Sequence, residues 1–145
     1  MSLARLARRV GPPLRPVDPV TEAARQMRET GTCSVLVADH GVLVGIVTER
    51  DVVRRVVAHG ADAEGVSLAE IMSSPVEAVP AATAPEDADA RMKELAVRHL
   101  VVVDDDGAPL GVLTAPDLLR RRIESLAEDV RSLEAFVLVA DSLGG

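Results

Sequence analysis

Apolar positions along the chain fall into two rhythms that occur twice in the same order. Val20, Ala23, Ala24 and Met27 recur at i, i+3, i+4 and i+7, the stripe of an amphipathic helix. Two short apolar runs follow, residues 35–38 and 42–47, separated by Asp39-His40-Gly41, whose residue types tolerate the positive φ of a tight hairpin. Val52, Val53, Val56 and Val57 then predict a second helix, and an extended piece at 14–16 precedes the unit. Further along, 79–81 is extended, Ala88, Met92, Leu95 and Ala96 mark a helix, and apolar runs at 100–103 and 110–113 flank Asp105-Asp106-Gly107. The pattern predicts β-α-β-β-α, twice.

The two units are copies. Gly45-Ile-Val-Thr48-x-x-Asp51 returns as Gly111-Val-Leu-Thr114-x-x-Asp117, offset by 66 residues, and Ala23 and Met27 return as Ala88 and Met92, offset by 65. Matching 37–39 to 103–105 puts the one-residue difference between the Met and the following strand. Repeats of this kind cannot bury both faces of a small sheet alone, so the copies are expected to pack together. The predicted division is 1–66 for the first repeat with its N-terminal segment and a polar linker at 59–66, and 67–120 for the second. The second opens with a capping box at Ser67 and Glu70 that starts a short helix through Met72.

Beyond the repeats, Leu119, Ile123, Leu126, Val130, Leu133, Val137 and Ala140 follow a 4-3-4-3-4-3 spacing, a heptad-type seam. They predict an amphipathic helix over 117–141 that continues from the second repeat, roughly 37 Å long if it starts near Pro116. It either folds back over its own domain or meets its twin in a homodimer.

Composition narrows the choice of function. The net charge of −7 and the absence of Tyr and Trp disfavour nucleic acid as the main ligand, because a duplex binder needs a positive face and single-strand binders need aromatic platforms. No apolar run approaches the roughly 20 residues of a membrane span. The single Cys33 excludes an internal disulfide and fits a reducing, cytoplasmic compartment. It reads as a small buried apolar residue rather than a nucleophile. The 15 Arg against one Lys suit phosphate recognition, and a coding bias explains them equally well. Asp104-Asp105-Asp106-Gly107 lacks the Glu of a calcium loop and reads as a hairpin turn. His40, His59 and His99 have no partners at zinc-ligand spacing. No catalytic constellation emerges, so an enzyme is not expected.

The Thr-x-x-Asp segments carry two readings. Thr as N-cap with Asp at N3 is a helix capping box, and it needs no ligand. Equally, a helix N-terminus favours a phosphate, and a hydroxyl and a carboxylate one turn apart suit the two hydroxyls of a ribose. Duplication of the segment together with its Gly weighs toward the second.

Pro16…Val20-x-Glu22-Ala23…Met27…Gly45-Ile-Val-Thr48-x-x-Asp51, repeated as Val79…Asp87-Ala88…Met92…Gly111-Val-Leu-Thr114-x-x-Asp117, resembles a tandem pair of cystathionine-β-synthase (CBS) domains, the Bateman module, of the stand-alone bacterial or archaeal type. The resemblance spans roughly residues 10–120. It implies an α+β fold of two β-α-β-β-α repeats with pseudo-twofold symmetry, and a regulatory module that senses AMP, ADP or ATP rather than catalysing a reaction. The implied ligand-binding residues are Thr48 with Asp51 and Thr114 with Asp117, for ribose and phosphate. Arg98 and His99 are expected to reach across to the Thr48/Asp51 site. The first copy has Cys33-Ser34 in their place. Arg50 can add charge beside Asp51, whereas its counterpart Pro116 cannot. Unequal sites are therefore expected, in a homodimer that regulates an unidentified protein partner. A purely structural dimerisation module with empty sites is the competing reading.

Overall fold

The computed structural model describes residues 2–144; Met1, with which the expected first repeat begins, lies outside them. The chain runs α1 (Leu3–Leu6), α2 (Val20–Thr30), β1 (Ser34–Asp39), β2 (Val42–Thr48) and α3 (Glu49–Arg55), then a single 3₁₀ turn at Val57–His59. It continues with α4 (Leu68–Ile71), β3 (Ala78–Pro80), α5 (Pro85–Leu95), β4 (His99–Val103), β5 (Pro109–Thr114) and α6 (Ala115–Gly144). This is the α+β architecture expected.

Local chemistry sets the boundaries. α2 stops at Gly31, which takes φ +67° and donates its N–H to the Met27 carbonyl. α5 begins with Pro85 in its first turn and stops at Ala96, a non-glycine held at φ +54° in the matching left-handed position. Ala96 is thus a cap rather than part of the α5 stripe, and Ala24 of α2 is exposed. The first hairpin turns through His40 and Gly41, both at positive φ, as a primed two-residue turn requires. In the second hairpin, Asp104 Oδ1 accepts from the Asp106 and Ala108 amides, so the acidic run serves the turn. α3 is shorter than the valine stripe implied: Val56 is buried, whereas Val53 and Val57 lie outside.

The second half is a three-stranded mixed sheet, and the first is a two-stranded antiparallel one in which the extended piece expected at 14–16 makes an isolated bridge rather than a strand. β1 and β2 pair antiparallel, with Val35 opposite Val47, and Leu14 bridges Val37 in the parallel sense. β4 and β5 pair with Leu100 opposite Leu113, and Val79 of β3 sits beside Val102. Strand β4 therefore follows β1 at an offset of 65, and the offset becomes 66 only in β5. The extra residue lies in the second hairpin turn, not between Met92 and β4. Turn residues on the surface accommodate it, whereas a shift inside the strand would move every side chain to the other face.

The packing crosses the sequence boundary. Leu3 of α1 is fully buried among Val79, Ala88, Met92, Leu100 and Leu113, in the core of the second repeat. Leu68 and Ile71 of α4 complete the first core, with Val20, Ala23, Val35 and Val47. α1 and α4 are themselves equivalent. Arg8 bridges Val112 just as Ser73 bridges Ile46, again 65 and 66 residues apart. Cores and linear segments therefore do not divide at residue 66: the N-terminal segment packs with the second copy, and residues 67–72 pack with the first. Leu36, Val101 and Val112 form a third buried cluster that joins the two sheets, with Ile46 and Val76 beside it.

α6 does not fold back. Its first turn is anchored by the buried Leu118, but the seam residues from Leu119 onward are open to solvent, with Leu119 60% and Leu133 65% exposed.

Candidate functional site

The candidate site is built where the end of β2 meets the start of α3, facing the entry of β4 from the other repeat. Thr48 is the N-cap of α3 and Asp51 its third residue. Asp51 Oδ2 accepts from the Thr48 amide at 2.9 Å and from the Thr48 hydroxyl at 3.1 Å. The Asp51 amide donates back to Thr48 Oγ1 at 3.3 Å. One carboxylate oxygen thus performs the capping, and the other, Oδ1, has only Arg55 Nε at 3.9 Å. Capping and ligand contact are compatible on a single side chain, because they use different oxygens.

Thr48, Arg50, Asp51, Arg98 and His99 all line one cavity of about 510 Å³ between the repeats. Ile46, Val76, Val97 and Val101 give it apolar walls, and Ser73, Pro75 and Glu77 close one side. Cys33 lines it too and is exposed, which corrects the expectation of a buried residue. Its exposure follows from position: it precedes the first buried residue of β1, and its carbonyl oxygen accepts from the Glu49 amide.

Burial holds the His99 imidazole below its ordinary pKa, since desolvation penalises the charged ring. The Asp51 carboxylate pulls in the opposite direction, and Arg50 adds to the depression. Both belong to the first repeat, so His99 from β4 shares an electrostatic environment with the Thr48/Asp51 corner. Burial thus favours the neutral ring of His99, while Arg50 and Arg98 lie on the surface. α3 has only seven residues, so its dipole is a small contributor beside those guanidinium groups.

Thr114 and Asp117 repeat the local geometry but not the surroundings. Asp117 Oδ2 accepts from the Thr114 amide at 3.0 Å and from its hydroxyl at 2.8 Å. Its other oxygen faces Arg8 Nε and Arg120 at 3.5 Å each, and the side chain is only 3% exposed. Neither residue lines the cavity that holds Thr48 and Asp51. Arg8 was not singled out by sequence reasoning, because its sequence neighbours are all in the first half of the chain. The signal that could have found it is the match of Ser2-Leu3 and Leu6 to Ser67-Leu68 and Ile71, at the same offset of 65 as the helices.

A duplicated α+β unit, with a Thr-x-x-Asp capping corner in each copy and a cavity between the copies, defines the class of tandem regulatory modules. The CBS domain model matches residues 9–58 and 68–124, and the chain belongs to the CBS domain family. It is 35% identical over 121 residues to an uncharacterized protein of Methanopyrus kandleri, covering 83% of this chain and 62% of that one. It is 30% identical over 103 residues to the CBS domain-containing protein YhcV of Bacillus subtilis, covering 71% and 72% respectively. Among solved structures, a CBS-domain protein from Burkholderia ambifaria superposes with a TM-score of 0.73 at 30% identity, covering 86% of this chain and 95% of that one. The chain spans under two thirds of several curated relatives, 62% of the Methanopyrus protein and 60% of the mitochondrial CBSX3 of Arabidopsis thaliana. Among the described residues no helix is long and apolar enough to cross a membrane.

Proposed function

We propose that this CBS pair is a non-enzymatic regulatory module that binds an adenine nucleotide (AMP, ADP or ATP) in the cavity between its repeats. One observation carries the reading: Asp51, whose Oδ1 stands outside the capping box, borders a single cavity with Arg50, Arg98, His99 and aliphatic walls. A carboxylate oxygen and the Thr48 hydroxyl suit ribose, the guanidinium groups suit phosphate, and Ile46, Val76 and Val101 suit a purine face without an aromatic partner. Since the ligand would touch both repeats, it would favour the arrangement in which both contact sets are made. A homodimer of this module, presenting a ligand-dependent surface to a partner protein in the cytoplasm, is the form in which such a bias becomes regulatory. The lone cysteine and the absence of a membrane-spanning helix among the described residues fit that location.

The Thr114/Asp117 corner supports a second, structural reading for its own half. Arg8 and Arg120 already face its carboxylate, so it serves as a helix cap and a clasp for the N-terminal segment. Isothermal titration with AMP, ADP and ATP tests the proposal. Binding of at least one nucleotide with Kd below about 1 mM, at one site per chain, is expected. No binding by any of them would leave only the structural module.

A further inference from the structure

We propose that α6 pairs with α6 of a second copy in antiparallel orientation, so that each helix end docks against the partner's globular body. This rests on the homodimer reading above and adds its geometry. The helix is 30 residues long, and past Ser125 every described residue is exposed. A single helix without packing is marginal in water, so its sequence is expected to specify a partner. Ile123, Val130 and Val137 occupy one seam position and Leu119, Leu126 and Leu133 the other, an unbroken apolar stripe over three heptads.

Charge decides the direction. Arg120, Arg121 and Arg122 form a basic block where α6 leaves the body. Beyond them lie Glu124, Glu128, Asp129, Glu134 and Asp141, against the single Arg131. Parallel pairing would set the two arginine blocks side by side and place Asp129 against the partner's Glu134, like charges at flanking positions. Antiparallel pairing with full overlap of the seam sets Val130 level with the partner's Leu133. It brings Arg120, whose guanidinium also borders Asp117, beside the partner's Asp141.

The distal turn supplies a second argument. Phe136-Val-Leu-Val-Ala140 is apolar on all sides, with Phe136 and Leu138 each 70% exposed. A helix of that composition is buried all round, and a two-helix seam covers only one stripe. In the antiparallel pair, this turn of one helix lies level with residues 123–127 of the other. There a groove of about 240 Å³ opens between α6 and the start of α5, bordered by Pro85, Leu118, Arg122 and Leu126. The partner's Leu143 falls on the same flank and fits its mouth. A parallel pair would leave both apolar ends far from any body.

The test is a distance between spin labels at Ser142→Cys in a Cys33→Ser background, with sedimentation to establish the dimer. Residue 142 faces outward from the seam, so labelling leaves the interface intact. The labels should lie roughly 35–40 Å apart in the antiparallel pair and roughly 20 Å apart in the parallel one. Asp141→Arg should weaken the dimer roughly five-fold, and adding Arg120→Glu should restore it. A short distance, or no rescue by the double reversal, overturns the antiparallel arrangement while leaving a dimer. A monomer at all concentrations overturns the homodimer reading as well. Neither result bears on nucleotide titration.

Discussion

Asp51→Ala and Asp117→Ala should rank in opposite order for stability and for binding, although the two residues sit in matching capping boxes. Removing Asp51 takes one acceptor from the Thr48 amide at a half-open helix start and should cost about 1 kcal/mol, the usual value of a cap. Asp117 is buried, so its removal costs the same cap and leaves the Thr114 amide short of a partner, about 1 kcal/mol more. It also loses Arg8 and Arg120, each more than half exposed and so each worth about 0.5 kcal/mol. The sum is about 3 kcal/mol, and urea unfolding resolves 3 from 1 readily. Binding should reverse the order. Two ribose hydroxyls on an ionised carboxylate are worth about 1.5–3 kcal/mol each, so Asp51→Ala should weaken nucleotide binding roughly a hundredfold or more. Asp117→Ala should leave affinity within about threefold in calorimetric titration. Equal stability losses, or binding lost in Asp117→Ala and kept in Asp51→Ala, would refute the division of labour drawn from the different surroundings of the two Oδ1 atoms.

Leu3→Ala should destabilise the fold by about 3 kcal/mol in the same denaturation assay, as a fully buried leucine does and a dispensable N-terminal arm does not. Gly111→Ala should cost about 1–3 kcal/mol by thermal unfolding, because a Cβ there would meet the Arg8 carbonyl oxygen at 2.7 Å. Gly45→Ala should cost less, since the obstacle there is the flexible Met72 side chain. His99 is held below its ordinary value of 6.5 by burial, so an adjacent phosphate raises its pKa. Nucleotide affinity should therefore rise as pH falls from 8 to 6, and calorimetry on His99→Gln should flatten that slope. In the free protein the sign reverses: the neutral ring favours the fold above pH 6.5, and that contribution is lost as pH falls below it.

The repeat was legible because its signals are local. Val35, Val37 and Val47 fill one face of a hairpin whose turn needs Gly41, and period and turn chemistry are written in consecutive residues. Thr48 and Asp51 were legible as a corner for the same reason. The reach of His99 toward Asp51 came from the family resemblance rather than from the residues, since cross-repeat proximity depends on how two sheets dock. What escaped was pairing across the whole chain. Leu3 and Leu6 are too few to show a period, and only the finished core reveals that they stand where Leu68 and Ile71 stand in the other half. The one-residue insertion was misplaced because 103–105 and 37–39 share an Asp and a Val, while the hydrogen-bond register matches Val102 to Val37. The seam of α6 was readable as a seam, but not its exposure. Nothing in a heptad says whether its partner is the same chain.

The inequality of the two corners follows from that crossed packing. α1 and α4 deliver equivalent residues to equivalent places: Ser73 beside Ile46 at the first corner, Arg8 beside Val112 at the second. With a serine there, Asp51 Oδ1 keeps the long 3.9 Å contact to Arg55, and Arg50 and Arg98 border the cavity beside it. At the second corner the delivered residue is itself the cation, and it spends its charge on Asp117 at 3.5 Å. Across the junction, the entry of β4 gives the first corner Arg98 and His99, whereas the entry of β1 has Cys33 and Ser34 at the same offset. Both differences act in one direction. For an anionic ligand, the first corner offers the guanidinium groups of Arg50 and Arg98 around a loosely held acceptor. At the second, the protein's own carboxylate has already taken the anion's place beside the cation.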